Sequence, residues 1–188
     1  MKTIDFLRNI RFSIQRVCRL LKVNRRSEIV WNDLIKMHEK AGWGFGQDAN
    51  QKSIELTFSN TDESSIKLYH EISNNKIVFR AVILSNFDVD NTHDIMILSS
   101  LINSSINFGS VRADTINNCV HFVYSGDLLL YFFYPGEKHS DMFKHIEIAK
   151  ECHWAFNYML NTKDNPASVI VEFIKRNDQE IKEKKLQK

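Results

Sequence analysis

Hydrophobic and polar residues alternate most regularly between residues 107 and 135. The alternating positions are Val111, Ala113 and Thr115, followed by Val120, Phe122 and Tyr124. A period of two is typical of a β-strand with one buried face, and Asn117-Asn118 and Ser125-Gly126-Asp127 supply residues that tolerate the positive φ of a tight turn. We therefore predict three consecutive antiparallel strands, the last from Leu128 to Tyr134.

A similar group of strands is predicted upstream. Ile54, Leu56 and Phe58 alternate with polar residues, and two further alternating segments, at residues 66–72 and 77–84, are joined by an Asn74-Asn75 turn. Residues 43–47 are a shorter candidate strand. The chain thus contains a first meander of three or four strands and a second meander of three.

Segments with a 3.6-residue period flank both meanders. They cover residues 28–40, with Ser27 as N-cap and Gly42 as terminator, residues 92–105, capped by Thr92, residues 140–161, after a stop at Pro135-Gly136, and residues 166–173, starting at Pro166. The residues expected to face inward in the two longer helices are Ile95, Leu98 and Ile102, then Met142 or Phe143, Ile146, Ala149, His153 or Cys152, Phe156 and Leu160. Strands grouped in runs and separated by single helices predict an α+β fold, an antiparallel β-sheet in two meanders with flanking helices in the order α-βββ-α-βββ-α.

Residues 3–23 are predicted to form a basic amphipathic helix. The contact residues that it would offer to a membrane or a partner are Phe6, Leu7, Arg8, Ile10, Arg11, Ile14, Arg19 and Lys22. Three interpretations are open: the helix packs on its own domain or in a dimer contact, it docks on a partner or nucleic acid, or it lies on an anionic membrane surface. We favour packing on the domain or a dimer contact.

Charge divides the chain in the same way. The formal net charge of +2 combines +7 in residues 1–26 (eight Lys or Arg against Asp5), +3 in residues 175–188 and −8 in residues 27–174. We predict a basic helix at 1–26, a single α+β domain at 27–174 and a charged tail, frayed or disordered, at 175–188. An acidic body would repel phosphates, so nucleic acid is not expected as a partner.

Cysteine content and hydropathy favour a cytoplasmic protein. Cys18, Cys119 and Cys152 are odd in number and form no CxxC pair, so the sequence predicts neither a disulfide framework nor a zinc knuckle. No apolar run approaches the roughly 20 residues of a membrane-spanning helix, and the N-terminal segment lacks a signal-peptide core.

Two joints between elements support a family resemblance. One helix ends at Ala41-Gly42-Trp43, where a glycine and an aromatic residue open the first strand, and another passes from Leu101-Ile102-Asn103 to Asn107-Phe108-Gly109 before a hairpin. With the order of elements between residues 28 and 160, these joints resemble the YbjN family and the type III secretion chaperones. The resemblance implies a small non-enzymatic domain of bacterial style, often dimeric, that binds other proteins, and it supplies no catalytic residues.

Two segments could bind ions, but each has a simpler structural explanation. Gly42-Trp43-Gly44-Phe45-Gly46 is glycine-rich, yet a strand follows it, whereas a phosphate loop opens a helix. Asp88, Asp90 and Asp94 could hold a cation, but they lack the glycine and closing glutamate of a calcium loop. We predict a helix terminus and a solvated loop at these positions.

Histidines and cysteines give two further candidates. Asp141, His145 and Cys152 lie near one helical face, with His139, Glu151 and His153 close in sequence, but the Asp141-to-His145 spacing supplies only two metal ligands. Cys119 and His121 share one face of a strand, without an evident oxyanion donor or orienting acid. We predict partly buried structural histidines, with no metal, no cofactor and no catalytic residues.

These observations favour a non-enzymatic, chaperone-like protein-binding module whose partner is unknown. It would bury apolar surface in a groove between sheet and helix, or add a partner segment at a sheet edge. The alternative is a peripheral membrane-associated protein anchored by the basic N-terminal helix. A homodimer is a further expectation.

Overall fold

A computed structural model describes residues 23–59, 65–73 and 75–186, with side chains described between residues 25 and 177. The helices are α1 (Val23–Lys40), α2 (Thr92–Ser105), α3 (Leu128–Phe133), α4 (Pro135–Thr162) and α5 (Pro166–Leu186). The strands are β1 (Phe45–Asp48), β2 (Ser53–Ser59), β3 (Ser65–Ser73), β4 (Lys76–Leu84), β5 (Ser110–Asp114) and β6 (Cys119–Asp127). The eight contact residues predicted between Phe6 and Lys22 lie outside the described residues.

All six strands belong to one antiparallel sheet in the order β1-β2-β3-β4-β6-β5. The chain runs through β1 to β4 as a meander, crosses through α2 to the far edge at β5, and returns as β6 beside β4. One face of the sheet is buried, and its core residues in β3 and β4 are Ile66, Leu68, His70, Ile77, Phe79, Ala81 and Ile83. The predicted α+β fold with an antiparallel sheet and flanking helices is confirmed.

The helices supply the other half of the core. α4 packs on β4 and β6, α2 packs on β5 and α5, and α1 contacts α3. Of the residues predicted to face inward, those that are buried are Ile95, Leu98 and Ile102, then Met142, Ile146, Ala149, Cys152, His153 and Phe156. Further buried residues are Ser99 of α2 and Lys138, His145, Ala155 and Met159 of α4. Leu160 is half-buried and Phe143 is exposed. The 3.6-residue pattern therefore identified the inward faces of α2 and α4 correctly.

The strand predicted from Leu128 to Tyr134 is wrong, because this segment forms helix α3 and the second meander has two strands. Asp127 accounts for the difference. Its carboxylate Oδ1 accepts hydrogen bonds from the amides of Leu129 at 2.6 Å and Leu130 at 3.4 Å, and so caps a helix N-terminus. Ser125-Gly126-Asp127, predicted as a turn, continues β6 instead.

Several helix boundaries also differ from the prediction. The N-cap residue of α2 is Asn91 and not Thr92, and α5 extends to Leu186 instead of ending near residue 173. Ser27 is not an N-cap, because α1 already begins at Val23. Pro135-Gly136 does not precede the helix as a stop, but forms the first turn of α4. Proline is favourable there because a backbone amide in the first turn has no partner within the helix, and because its fixed φ suits a helix. Within the described residues, no helix is both long and apolar enough to cross a lipid bilayer.

Candidate functional site

Helix α3 exposes half of its six apolar side chains. Its sequence is Leu-Leu-Leu-Tyr-Phe-Phe, and only Leu128 and Tyr131 are buried. Exposed fractions of 36%, 44%, 43% and 62% are found for Leu129, Leu130, Phe133 and the next residue, Tyr134. These four residues are called the α3 patch. Large apolar side chains clustered on the surface of a protein mark interaction sites, because water contact with them is unfavourable.

A groove of about 550 Å³ lies between α1 and the first turns of α4. It is called the α1–α4 groove, and its lining residues are Asp33, Lys36, Met37, Lys40, Ala41, Pro135, Lys138, His139 and Phe143. α3 contacts both α1 and α4. Because Tyr134 immediately precedes Pro135, the α3 patch adjoins the groove. The two features form one candidate site.

The end of α1 shapes one wall of the groove. Gly42 has a φ of 70°, and the amide of Trp43 donates to the carbonyl of His38 at 3.1 Å, which turns the chain away from the helix. The Trp43 ring then contacts Phe58 and Phe143, with ring centroids 5.0 Å and 5.3 Å away. Phe143 is thus held in place by Trp43, and it lines the groove while 37% of its surface remains exposed.

Asp141 holds the inner side of α3 against β6 and α4. Its Oδ2 accepts hydrogen bonds from the hydroxyls of Tyr131 at 2.6 Å and Tyr124 at 2.8 Å. Burial and the Asp141 carboxylate raise the pKa of both tyrosines, so both hydroxyls stay protonated and donate. α3 is therefore fixed on its inner side, and its outer side presents the α3 patch in a defined position.

Lys138 is a buried cation in the groove wall. Its side chain has no exposed surface, and its Nζ makes no hydrogen bond. Asp33 Oδ2 lies 3.9 Å from Nζ, which is too far for a hydrogen bond. Burial lowers the pKa of Lys138, and Asp33 opposes that effect. An ammonium group without acceptors is unfavourable inside a protein, because it has lost its water without a replacement.

A pair of buried histidines lies next to the groove residue Met37. His38 Nδ1 is 2.7 Å from the carbonyl oxygen of Leu34, and His38 Nε2 is 3.0 Å from His70 Nδ1. Since the carbonyl can only accept, we assign the His38 proton to Nδ1, and Nε2 then accepts from the Nδ1–H of His70. Burial lowers the pKa of both rings, strongly for His70. Both imidazoles are neutral in this arrangement.

A third buried histidine, His145 of α4, stands near His70. Its Nε2 is 3.3 Å from the carbonyl oxygen of Phe122, and the ring centroids of His70 and His145 are 6.3 Å apart. Burial lowers the pKa of His145 to about 4, although the Phe122 carbonyl opposes this effect. His70 Nε2 and His145 Nδ1 are both buried without a hydrogen-bond partner. The predicted structural role of the buried histidines fits these contacts.

The residues of the candidate metal site each make a separate structural contact. Asp141 binds two tyrosine hydroxyls, His145 faces the Phe122 carbonyl, and Cys152 is buried with a raised thiol pKa. His139 lines the groove against Phe143, and Glu151 pairs with Arg176 at 2.9 Å. No group of three or more His, Cys, Asp or Glu among the described residues is arranged to hold a metal ion.

Cys119 and His121 do approach each other, with Sγ and Nε2 3.2 Å apart on the sheet face opposite the core. Burial and the nearby Asp114 raise the pKa of Cys119, while burial and Arg80 lower the pKa of His121. Both shifts favour the neutral thiol and imidazole. A nucleophilic cysteine needs the opposite, a thiolate stabilised beside a cationic histidine.

The glycine-rich tract and the acidic loop have structural roles. Gly42 terminates α1, as predicted, and Phe45 begins β1. Asp88 Oδ1 accepts a hydrogen bond from the Asp90 amide at 3.2 Å and caps the 3₁₀ turn Val89–Asn91. Asp94 lies in the first turn of α2, where a negative charge interacts favourably with the helix dipole.

The two sheet edges differ. At β5 the side chain of Asn103 replaces a neighbouring strand: its Oδ1 accepts from the Val111 amide at 2.7 Å, and its Nδ2 donates to the Val111 carbonyl at 2.9 Å. This amide pair blocks further strand addition there. At the other edge β1 is only four residues long. Neither edge offers a long strand for a partner segment, so the groove is the better candidate.

Few features of the sequence indicate this site. The run Leu128-Leu129-Leu130 has no alternation, which a strand with one buried face requires, and Asp127 precedes it in an N-cap position. Only the second signal, Asp127, distinguishes a short helix from a fully buried strand. Nothing in the spacing of residues indicated that Lys138 would be buried beside α1, because that position depends on how two distant helices pack.

Comparisons with known proteins give little further information. No protein-family model matches the chain, and no curated protein matches it. Among solved structures, one similar chain is YbjN from E. coli, a proposed transcription regulator, with a TM-score of 0.48 and 14% sequence identity. The alignment covers 68% of this chain and 92% of YbjN.

Proposed function

We propose that this protein is a non-enzymatic protein-binding module whose contact surface is the α3 patch together with the α1–α4 groove. The single observation that supports this function most is the α3 patch itself. Four large apolar side chains within six consecutive residues are exposed, although the inner side of α3 is buried in the domain through Leu128 and Tyr131. A partner that covered them would remove unfavourable water contact.

The composition of the patch also suits a protein partner. Protein interfaces are rich in aromatic residues, because these bury a large area at a small cost in side-chain entropy. Phe133 and Tyr134 supply such rings, and Leu129 and Leu130 extend the apolar area beside them. The fixed position of α3 means that little backbone order would have to be gained on binding.

The test is an affinity capture from lysate of the native host, followed by identification of captured proteins. Substituting Leu130→Gln and Phe133→Gln together removes two apolar contacts while keeping good helix formers at exposed positions. We expect the wild-type protein to enrich a defined partner and the double variant to lose at least about tenfold of that enrichment, as hot-spot truncations do.

A matched control is Ile116→Gln, which removes an apolar side chain that is 90% exposed in the β5–β6 turn. This variant should capture the same partner as the wild-type protein. Equal thermal stability of all three proteins shows that folding is unaffected. Capture that survives the α3 substitutions, or that is lost equally in the control, would rule out the α3 patch as the binding surface.

A further inference from the structure

We propose that the α1–α4 groove accepts an acidic, amphipathic helical segment of a partner protein, one of whose side-chain carboxylates pairs with Lys138. This inference rests on the proposed function and specifies the chemistry of the partner. It connects three observations: the charge of the groove, its apolar lining, and a buried ammonium in its wall that makes no hydrogen bond.

The groove is locally basic on an acidic body. The lining contains three lysines, Lys36, Lys40 and Lys138, and one acidic residue, Asp33, so its lysines and carboxylate have a formal net charge of +2. The sequence between residues 27 and 174 has a net charge of −8. The groove is therefore a place where an acidic segment meets attraction on a surface that otherwise repels it.

Spacing along α1 favours several carboxylates over one. Lys36 and Lys40 are four residues apart and so project from the same side of the helix, one turn from each other. A helical partner with acidic residues one turn apart could pair with both. A single terminal carboxylate would leave at least one lysine without a partner.

The remaining lining explains why the segment should be amphipathic. Met37, Ala41, Pro135 and Phe143 form the apolar part of the groove. Pro135 directly follows Tyr134 of the α3 patch in the sequence. Apolar side chains at helical spacing would cover these residues, as in other cases where a helix binds in a groove. The basic N-terminal segment of this chain, at +7, has the wrong charge to be the occupant.

Lys138 is the groove residue that would gain most from a partner carboxylate. Its side chain is fully buried, its Nζ has no hydrogen bond, and Asp33 Oδ2 remains 3.9 Å away although Asp33 is 43% exposed. Because Nζ has no exposed surface, the Lys138 side chain would have to turn toward the groove on binding. A partner carboxylate would then supply the charge-assisted hydrogen bond that Nζ lacks. Binding of the partner would thus remove an unfavourable feature of the free protein, a buried ammonium group without a hydrogen bond.

The experiment uses synthetic helical peptides as probes. One peptide repeats Leu at positions i, i+3, i+4 and i+7 and carries Glu elsewhere, and a second replaces every Glu by Gln. Binding to the full chain is measured by fluorescence anisotropy at low and high salt. The Glu peptide should bind at least about tenfold more tightly than the Gln peptide, and added salt should reduce the difference.

Lys138→Met should reduce the preference for Glu over Gln to about threefold or less, because one strong charge contact is lost. The same variant should fold with equal or greater stability than wild type, since methionine fills the space without a buried charge. Lys67→Met, on the outer face of β3, is the matched control and should keep the full preference.

Other outcomes overturn the inference in distinguishable ways. If both peptides bind equally and the α3 double variant weakens both, protein binding stands and the carboxylate contact with Lys138 is wrong. If the Glu peptide does not bind, or if Lys138→Met retains the preference, the inference is also wrong. Sedimentation with phosphatidylserine vesicles, lost in Lys138→Met, in the absence of Glu-peptide binding would instead assign the groove to a membrane.

Discussion

Three of the buried histidines, His38, His70 and His145, are expected to control the response of this protein to acid. His38, His70 and His145 are neutral in the fold, and burial lowers the pKa of each. An unfolded chain would return each ring to its ordinary pKa of 6.5. The unfolded state therefore takes up protons first as the pH falls, and the folded state is penalised.

We predict that the free energy of unfolding is highest above pH 6.5 and falls between pH 6.5 and about 4. His145, with a folded pKa of about 4, would contribute a loss of about 3 kcal/mol over this window, from roughly 1.4 kcal/mol for each unit of pKa difference. Urea unfolding at a series of pH values measures this slope.

Substitution of His145 separates its contribution. His145→Gln can still donate a hydrogen bond to the Phe122 carbonyl but does not titrate, so its stability should depend less steeply on pH than that of the wild-type protein. His93→Gln, at an exposed position in α2, should leave the slope unchanged. Identical slopes in all three proteins would contradict the assignment of a neutral, buried His145.

At the scale of elements, α3 is a helix in a segment whose sequence also suits a strand. Six apolar residues in a row suit either a buried strand or a short helix, and hydrophobicity alone cannot distinguish them. Asp127 favours the helix locally, because its side chain caps the N-terminus of α3. Tyr131 stabilises the helix in the folded protein through a hydrogen bond from its hydroxyl to Asp141. The first of these signals was present in the sequence, but the second depends on the position of α4.

The packing of α3 on β6 depends on Gly126. A Cβ atom at this position would overlap the ring of Tyr131, which lies directly over the glycine. Gly126→Ala should therefore displace Tyr131 from Asp141 and destabilise the protein by about 1–3 kcal/mol, the usual cost of overpacking. Chemical denaturation followed by tryptophan fluorescence gives the difference in unfolding free energy.

Gly136→Ala is the matched control for this substitution. Gly136 lies in the first turn of α4, where a Cβ atom meets nothing within 4 Å and the backbone is helical. The control should be neutral or stabilising by up to about 1 kcal/mol, because alanine loses less entropy than glycine in a helix. Equal effects of the two substitutions would show that Tyr131 does not close over Gly126.

For the whole molecule, the pattern of hydrophobic residues predicted more than any chemical motif did. It identified the antiparallel sheet, the inward faces of α2 and α4, and the termination of α1 at Gly42. These features depend on short-range periodicity and on single residues with special backbone preferences. The groove and the position of Lys138 depend instead on how the whole fold places α1 beside α4, which no local pattern contains.

The arrangement of charge connects the fold with the proposed function. An acidic body with a basic, partly apolar groove discriminates between partners by charge as well as by shape, and like charges elsewhere on the surface oppose wrong partners. The α3 patch supplies apolar contact beside this groove. Binding would therefore combine an apolar anchor with a charge requirement in one continuous surface.

Photo-crosslinking from the α3 patch in living cells tests the central claim most directly. A benzophenone amino acid replaces Phe133 in one protein and the exposed Ile116 in a control. If the α3 patch binds a partner, position 133 should give a discrete crosslinked band containing one predominant protein, and position 116 should not. Equal or diffuse crosslinking from both positions would contradict the claim that this surface is a specific protein-binding site.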